Sequence, residues 1–307
     1  MLKKNEENSE YSIAETLRSM ISFHDDFSEM LFGRSRTRVK YFEEHAIYMS
    51  IAETLKSIDD IVQKGRMNDA YALIRKYCDI VVTHIYLILH MQEHQNQSSK
   101  KHKYETVGEW MENDPEGFEK EMKQIIQAVF EGRTEDTGYI DLDVQKWIDH
   151  HSLENREWKS TRKMIKYIEK SGYYQEISKV LPKTIYINLR QQCNNHLHYN
   201  TFRVIWENVP QRFLHDIDWL TKECKIIEAY LIDIFTLHFM MIILLDASYF
   251  SCIQEYADYL ELGMTPPDEL LYEVPPFISE AYYGLIDPRY HDLLDILKDN
   301  TTLRWDE

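Results

Sequence analysis

The sequence predicts an all-α protein, a helical bundle built on a long helical hairpin (about 40–92) and a long buried helix (about 211–260). Three observations carry this expectation. Gly and Pro are scarce, 9 and 8 in 307 residues, while Leu, Ile, Glu, Lys and Tyr are abundant; all-β and doubly wound folds need more turn glycines. Both named stretches repeat apolar side chains at steps of three and four with few breakers. Hydrophobic residues make up 44% and charged residues 28%, the balance of a folded chain with a real core.

The elements follow in order. Residues 1–39 begin with the polar, acidic MLKKNEENSEYS, which is neither a secretory signal nor an anchor, and they read as an N-terminal arm. In YFEEHAIYMSIAETLKSIDDIVQKG, Tyr41, His45, Tyr48, Ile51, Leu55, Ile58 and Val62 share a helical face, and Gly65 ends the helix. Asn68 or Asp69 caps the next, DAYALIRKYCDIVVTHIYLILHMQ, with Leu73, Tyr77, Ile80, His84 and Leu87 along one side. A short connection makes these two an antiparallel hairpin.

QEHQNQSSKKHKY, residues 92–104, reads as a polar, basic loop. Shorter helices are expected at about 117–131, 142–150, 157–171 and 184–198. From Gln211 to Leu260 the helical period suggests one long or kinked helix. Its uninterrupted apolar part, Phe239 to Leu245, is short of the roughly 20 residues a membrane span requires, and Asp233, His238 and Asp246 interrupt the surroundings. A buried bundle helix is expected there, and no membrane partner. Residues 263–307 carry five of the eight prolines and read as an acidic strap packed on a domain of residues 40–262.

The net charge of −17 opposes indiscriminate binding to a polyanion, though a local basic patch still makes a site. Cys78, Cys193, Cys224 and Cys252 are far apart and form no CxxC, so reduced thiols in a cytoplasmic protein are expected.

The segment richest in candidate chemistry is NLRQQCNNHLHYN, Asn188 to Asn200. On a helix advancing about 100° per residue, Leu189, Cys193 and Leu197 form an apolar stripe with Ile185. Arg190, Asn194 and His198 run down another side at about 100°, 140° and 180° from Leu189, while His196 falls among the apolar residues at about −20°. An Arg and a His on one face suit a phosphodiester. The guanidinium holds two phosphate oxygens at once, and the imidazole exchanges a proton with nucleophile or leaving group. Attack by a ribose 2′-hydroxyl on its own phosphate needs only those two functions. Asn194, Asn195 and Asn200 are supporting polar residues. A polar helix that bonds to neighbouring loops is the plainer alternative for the same stretch.

LRQQCNNH, with Arg190 and His196 as its ends, fits an R-x4-6-H pattern and resembles the HEPN superfamily. The flanking NNHLHYN is similar to Asn-rich segments of bacterial HEPN-like proteins in host-defence loci. DAYALIRKYCDIVV is similar to their Arg-bearing second helix, with Arg75 and Asp79 one turn apart. The resemblance implies a helical bundle, commonly a homodimer, and a metal-independent endoribonuclease of a toxin–antitoxin or anti-phage system. It also admits a catalytically inert module that binds a protein partner or nucleotide. It implies Arg190 as phosphate ligand and His196 as the motif histidine, with selected RNA and an antitoxin-like protein as partners. Two positions depart from the pattern. Gln191 stands where Asn, Asp or His usually follows the arginine, and His198 competes with His196 by having the better helical phase.

Other motifs are weaker. Arg75 and Asp79 also read as a simple intrahelical ion pair. REWKSTRKMIKYIEK, Arg156 to Lys170, holds six basic residues against two acidic ones and reads as a solvated helix face or a guide for a polyanion. GRSRTRVK and SKKHK are similar basic runs. DHH, Asp149 to His151, and the H-x-H of 196–198 invite a metal, yet no HExxH or cysteine-based set is present. No glycine-rich phosphate loop occurs either. No metal or cofactor is expected.

Overall fold

The architecture comes from a computed structural model, which describes residues 10–34, 39–126, 161–181, 185–197, 204, 217–286, 288–290 and 292–305. The segment read as an arm is a helix, α1 (Glu10–Arg34). Its buried Ile13, Leu17, Met20, Phe27 and Leu31 recur at helical spacing; the polar start of the chain hides that period from composition. The hairpin follows as α2 (Val39–Gln63) and α3 (Met67–Lys101). Gly65, at φ 69°, ends α2, with Gly65 N–H donating to Val62 O at 2.9 Å and Arg66 N–H to Ile61 O at 3.1 Å. The left-handed turn is one glycine adopts without a Cβ penalty.

The loop expected over 92–104 is a correction, because α3 runs on to Lys101. Its Gln, Ser and Lys residues are polar but compatible with a helix, and no Gly or Pro breaks the run. The turn comes only at Lys103, φ 68°. There follow α4 (Val107–Asn113), α5 (Pro115–Ile126), α6 (Thr161–Ile168), α7 (Gly172–Ile177) and α8 (Ile185–Leu197). Thr106 caps α4 by accepting Glu109 N–H at 3.1 Å. The helix expected at 142–150 lies outside the described residues.

The 211–260 stretch, expected as one long or kinked helix, is interrupted after Leu245, and its residues 211–216 lie outside the described residues. α9 (Ile217–Leu245) gives way to a 3-10 turn, Ala247–Phe250, before α10 (Ile253–Glu261). Here the Cys252 N–H donates to Glu273 O at 2.8 Å instead of continuing a helical ladder. The C-terminal strap is also largely helical, with a 3-10 turn at Asp268–Leu271, then α11 (Pro276–Leu285) and α12 (Asp292–Asn300). Its prolines mislead because Pro276 stands in the first turn of α11, where its missing N–H costs nothing. No strand occurs among the described residues.

α9 is the centre of the bundle, packed against α3, α1, α7, α8, α11 and α12. Every residue from Ile234 to Leu245 is buried, and each large apolar side chain so covered contributes about 1.5–3 kcal/mol. By length and composition α9 would suffice to cross a membrane, but 67% of its most apolar stretch is buried by the rest of the chain. Two of its glutamates are paired with other helices: Glu223 accepts from Tyr71 Oη and Glu228 from Thr16 Oγ1, each at 2.7 Å.

Candidate functional site

α8 lies along α3, and the neighbours define the direction. His196 meets Asn68 and Tyr71, Cys193 lies by Arg75 and Asp79, and Arg190 lies by Cys78. Rising numbers on α3 meet falling numbers on α8, so the helices are antiparallel. Leu189 and Cys193 are fully buried in this seam, as the apolar stripe anticipates. Burial pushes the Cys193 thiol up to about 12, with Arg75 opposing and Asp79 adding to the shift. Cys78 is likewise pushed well up by burial and by Asp79, while Arg190 and Arg75 pull it partly back. Neither thiol is a nucleophile in this state.

The seam gathers Arg75, Asp79, Arg190 and His196 of the residues singled out in the sequence, and Asn194 follows Arg190 by one turn of α8. Arg75 Nε donates to Asp79 Oδ2 at 3.4 Å, and the two side chains are 19% and 34% exposed. Asp79 Oδ1 and Asn194 Oδ1 are buried and find no hydrogen-bond donor among the described residues. Buried acceptors left unpaired are uncommon and costly, about 1–3 kcal/mol each. Arg190 is half-buried and forms no ion pair with another described residue. Asn195 is exposed on the outer side of α8.

His196 is only 6% exposed. Its ring stacks on Tyr71, centroids 3.9 Å apart, and its Nδ1–H donates to Asn68 Oδ1 at 3.2 Å. It is thus held as a packing residue between the helices, on the core side that helical phase assigns to it. His198 and Asn200 lie outside the described residues, as do Asp149 to His151.

Beside the seam runs an open groove of about 790 Å³. Leu197 forms one wall instead of burying with the apolar stripe, opposite Ile47, Ile80 and Leu87 of α2 and α3. Arg75, Lys76, Asp79 and Thr83 supply its polar lining. Arg190 and Leu197 are seven residues apart, so they share a face of α8 about 10 Å apart along its axis. Thr83 also touches Met164 Sδ of α6, at 3.9 Å. That contact sets the exposed Arg162 and Lys166 of α6 on a helix that flanks α3. Arg156 and Lys159 of the same basic run are outside the described residues.

Sequence reasoning missed Lys76, Thr83 and His84, which also line the groove. The i, i+4, i+8 spacing of Arg75, Asp79 and Thr83 along one face of α3 is the signal the sequence carries for it. His84 belongs to a second buried group. Its Nδ1 shares a 2.8 Å hydrogen bond with His238 Nε2, and the His24 ring lies parallel to that of His238, centroids 6.1 Å apart. Burial holds His84 neutral down to about 3 and His24 down to about 4, with His238 also pushed well below the usual range. No group of three or more His, Cys, Asp or Glu side chains among the described residues is arranged to hold a metal ion.

No protein-family model, no curated protein and no solved structure matches the chain.

Proposed function

We propose that the α3–α8 seam and its groove form the RNA-facing site of an HEPN-type, metal-independent endoribonuclease acting in the cytoplasm as a homodimer. A toxin–antitoxin or anti-phage system is the setting this reading favours. The observation that carries it is the meeting of two guanidinium groups, Arg75 and Arg190, beside Cys78 in one seam, with the unpaired buried acceptor Asp79 Oδ1 next to them and a second, Asn194 Oδ1, one turn along α8 from Arg190. The guanidinium groups suit a scissile phosphate, and the acceptors suit ribose hydroxyl or base N–H donors.

In the proposed reaction Arg190 holds the non-bridging oxygens and stabilises the charge that builds on them. His198 takes the 2′-hydroxyl proton as that oxygen attacks phosphorus, and the 5′-oxygen leaves and is protonated. The products are a 2′,3′-cyclic phosphate and a 5′-hydroxyl. Tyr71 and Asn68 hold His196, which sets the angle of α8 rather than moving the proton. The basic face of α6 guides selected RNAs past the acidic body.

Purified protein incubated with total RNA in excess EDTA tests this reading. Cleavage that persists in EDTA and is lost in Arg190→Ala and His198→Ala is the expected result. An absence of cleavage at high protein concentration, with any partner removed, ends it. The burial of His196 within one chain favours a second reading, a catalytically inert module that binds a protein partner or nucleotide. RNA or nucleotide binding without cleavage, weakened by Arg75→Ala and Arg190→Ala, marks that outcome.

A further inference from the structure

From Asp246 to Asp287 the chain carries nine carboxylates and no Lys or Arg. This one-signed stretch folds into α10, the Asp268–Leu271 turn and α11. α10 and that turn pack side by side and present large apolar side chains to water. Leu262 is 75% exposed, Leu260 56% and Met264 54%, with Leu271 and Tyr272 at 37% and 39%. Contiguous exposed apolar surface inside a polar rim marks an interaction site.

The backbone beneath these side chains is ordered by its own bonds. α10 closes on Gly263 at φ 69°, where Gly263 N–H donates to Leu260 O at 3.0 Å and Met264 N–H to Tyr259 O at 2.9 Å. In this helix ending the residue after the glycine ordinarily folds back on the last turn, yet Met264 stays half in water. Pro266 and Pro267 stiffen the exit. The flanks are tied down by Cys252 N–H on Glu273 O at 2.8 Å and Arg304 N–H on Tyr272 O at 2.6 Å. Aliphatic groups held in water on a rigid frame are organised in advance for a partner, because little order remains to be imposed on binding.

Charge selects the occupant. Asp258, Glu261, Asp268 and Glu269 are all exposed around the apolar residues, and Arg304, brought alongside by its backbone bond, leaves the rim acidic on balance. A second copy docking through the same face would set carboxylate against carboxylate, and anionic lipid is repelled for the same reason. We propose that this face docks a partner protein through a segment whose aliphatic side chains are flanked by Lys or Arg. The apolar centre supplies the affinity, and the acidic rim sets orientation and speed of encounter. The proposal does not depend on the RNA reading, since no residue of the α3–α8 seam takes part.

Site-specific photocrosslinking of the full chain tests it. A benzophenone amino acid replaces Leu262, or the exposed Asp299 as a control, in cells that make the protein naturally. The expected result is a protein adduct at 262, absent at 299, whose crosslinked peptide carries Lys or Arg beside aliphatic residues. Adding Glu261→Lys and Glu269→Lys should cut that adduct at least ten-fold while leaving the melting temperature unchanged. An adduct with a second copy, an adduct with lipid, an acidic crosslinked peptide, or no adduct above the control overturns the proposal.

Discussion

The imidazole of His196 lies nearly parallel to the phenol ring of Tyr71, 16° between planes and 3.9 Å between centroids. That stack joins α8 to α3, and Asn68 fixes the ring that completes it. His196→Ala should therefore lower stability by about 2–4 kcal/mol, from the lost stack, the cavity and the unpaired Asn68. Arg190→Ala should stay within about 0.5 kcal/mol of wild type. Urea denaturation of the two variants checks the contrast. Equal stability would show that His196 is not the packing residue described above.

The buried histidines predict a loss of stability in mild acid. His24 and His84 have folded-state values of about 4 and about 3, below the ordinary 6.5, so the unfolded chain binds their protons first. Their full contribution is present above about pH 6.5 and is lost as pH falls toward those folded values. Each such group adds a slope of up to about 1.4 kcal/mol per pH unit. Urea midpoints between pH 7.5 and 5 should show it, and His24→Phe should flatten the slope by about one proton.

Two glycines make a controlled pair. A Cβ at either Gly263 or Gly284 meets nothing within 4 Å. Only Gly263 has a positive φ, 69°. Gly263→Ala should cost about 1–2 kcal/mol, whereas Gly284→Ala, near the end of α11, should be neutral or gain up to about 1 kcal/mol. Thermal melts of both variants read the difference.

If Arg75 and Arg190 hold phosphates, the salt dependence of RNA binding reports it. Each Arg→Ala change should reduce the slope of log K against log salt by about 0.7, the value for one contact to a single strand. Fluorescence anisotropy with a labelled RNA at several salt concentrations measures the slope. An unchanged slope in both variants removes them from the interface.

The hairpin was legible because α2 and α3 signal themselves through local rules: apolar residues at steps of three and four, and Gly65 at the turn. The phase of α8 was legible for the same reason, since it separates Leu189 and Cys193 from Arg190 and Asn194. Other features depend on distant partners. Residues 92–101 stay helical although they are polar, and composition registers polarity rather than the absence of a breaker. α1 begins in a polar segment, and its buried Phe23 and Phe27 gain meaning only once Phe235 and Phe239 of α9 and Tyr48 of α2 pack on them. The groove was hidden because Leu197 belongs to the apolar stripe by phase, while its place at the end of α8 leaves it 38% exposed. Nothing local announces that His24, His84 and His238, far apart in the chain, meet in one place.

The central position of α9 has a consequence for how the chain is made. About 115 residues separate the end of α3 from the start of α9. At roughly 5–20 residues per second of synthesis, that interval lasts about 6–23 s. Throughout it the inner faces of α1 and α3 have left the ribosome without the helix that covers them. A nascent chain of this design relies on a chaperone, or on provisional pairing of α1 with α2 and α3, until Leu245 emerges.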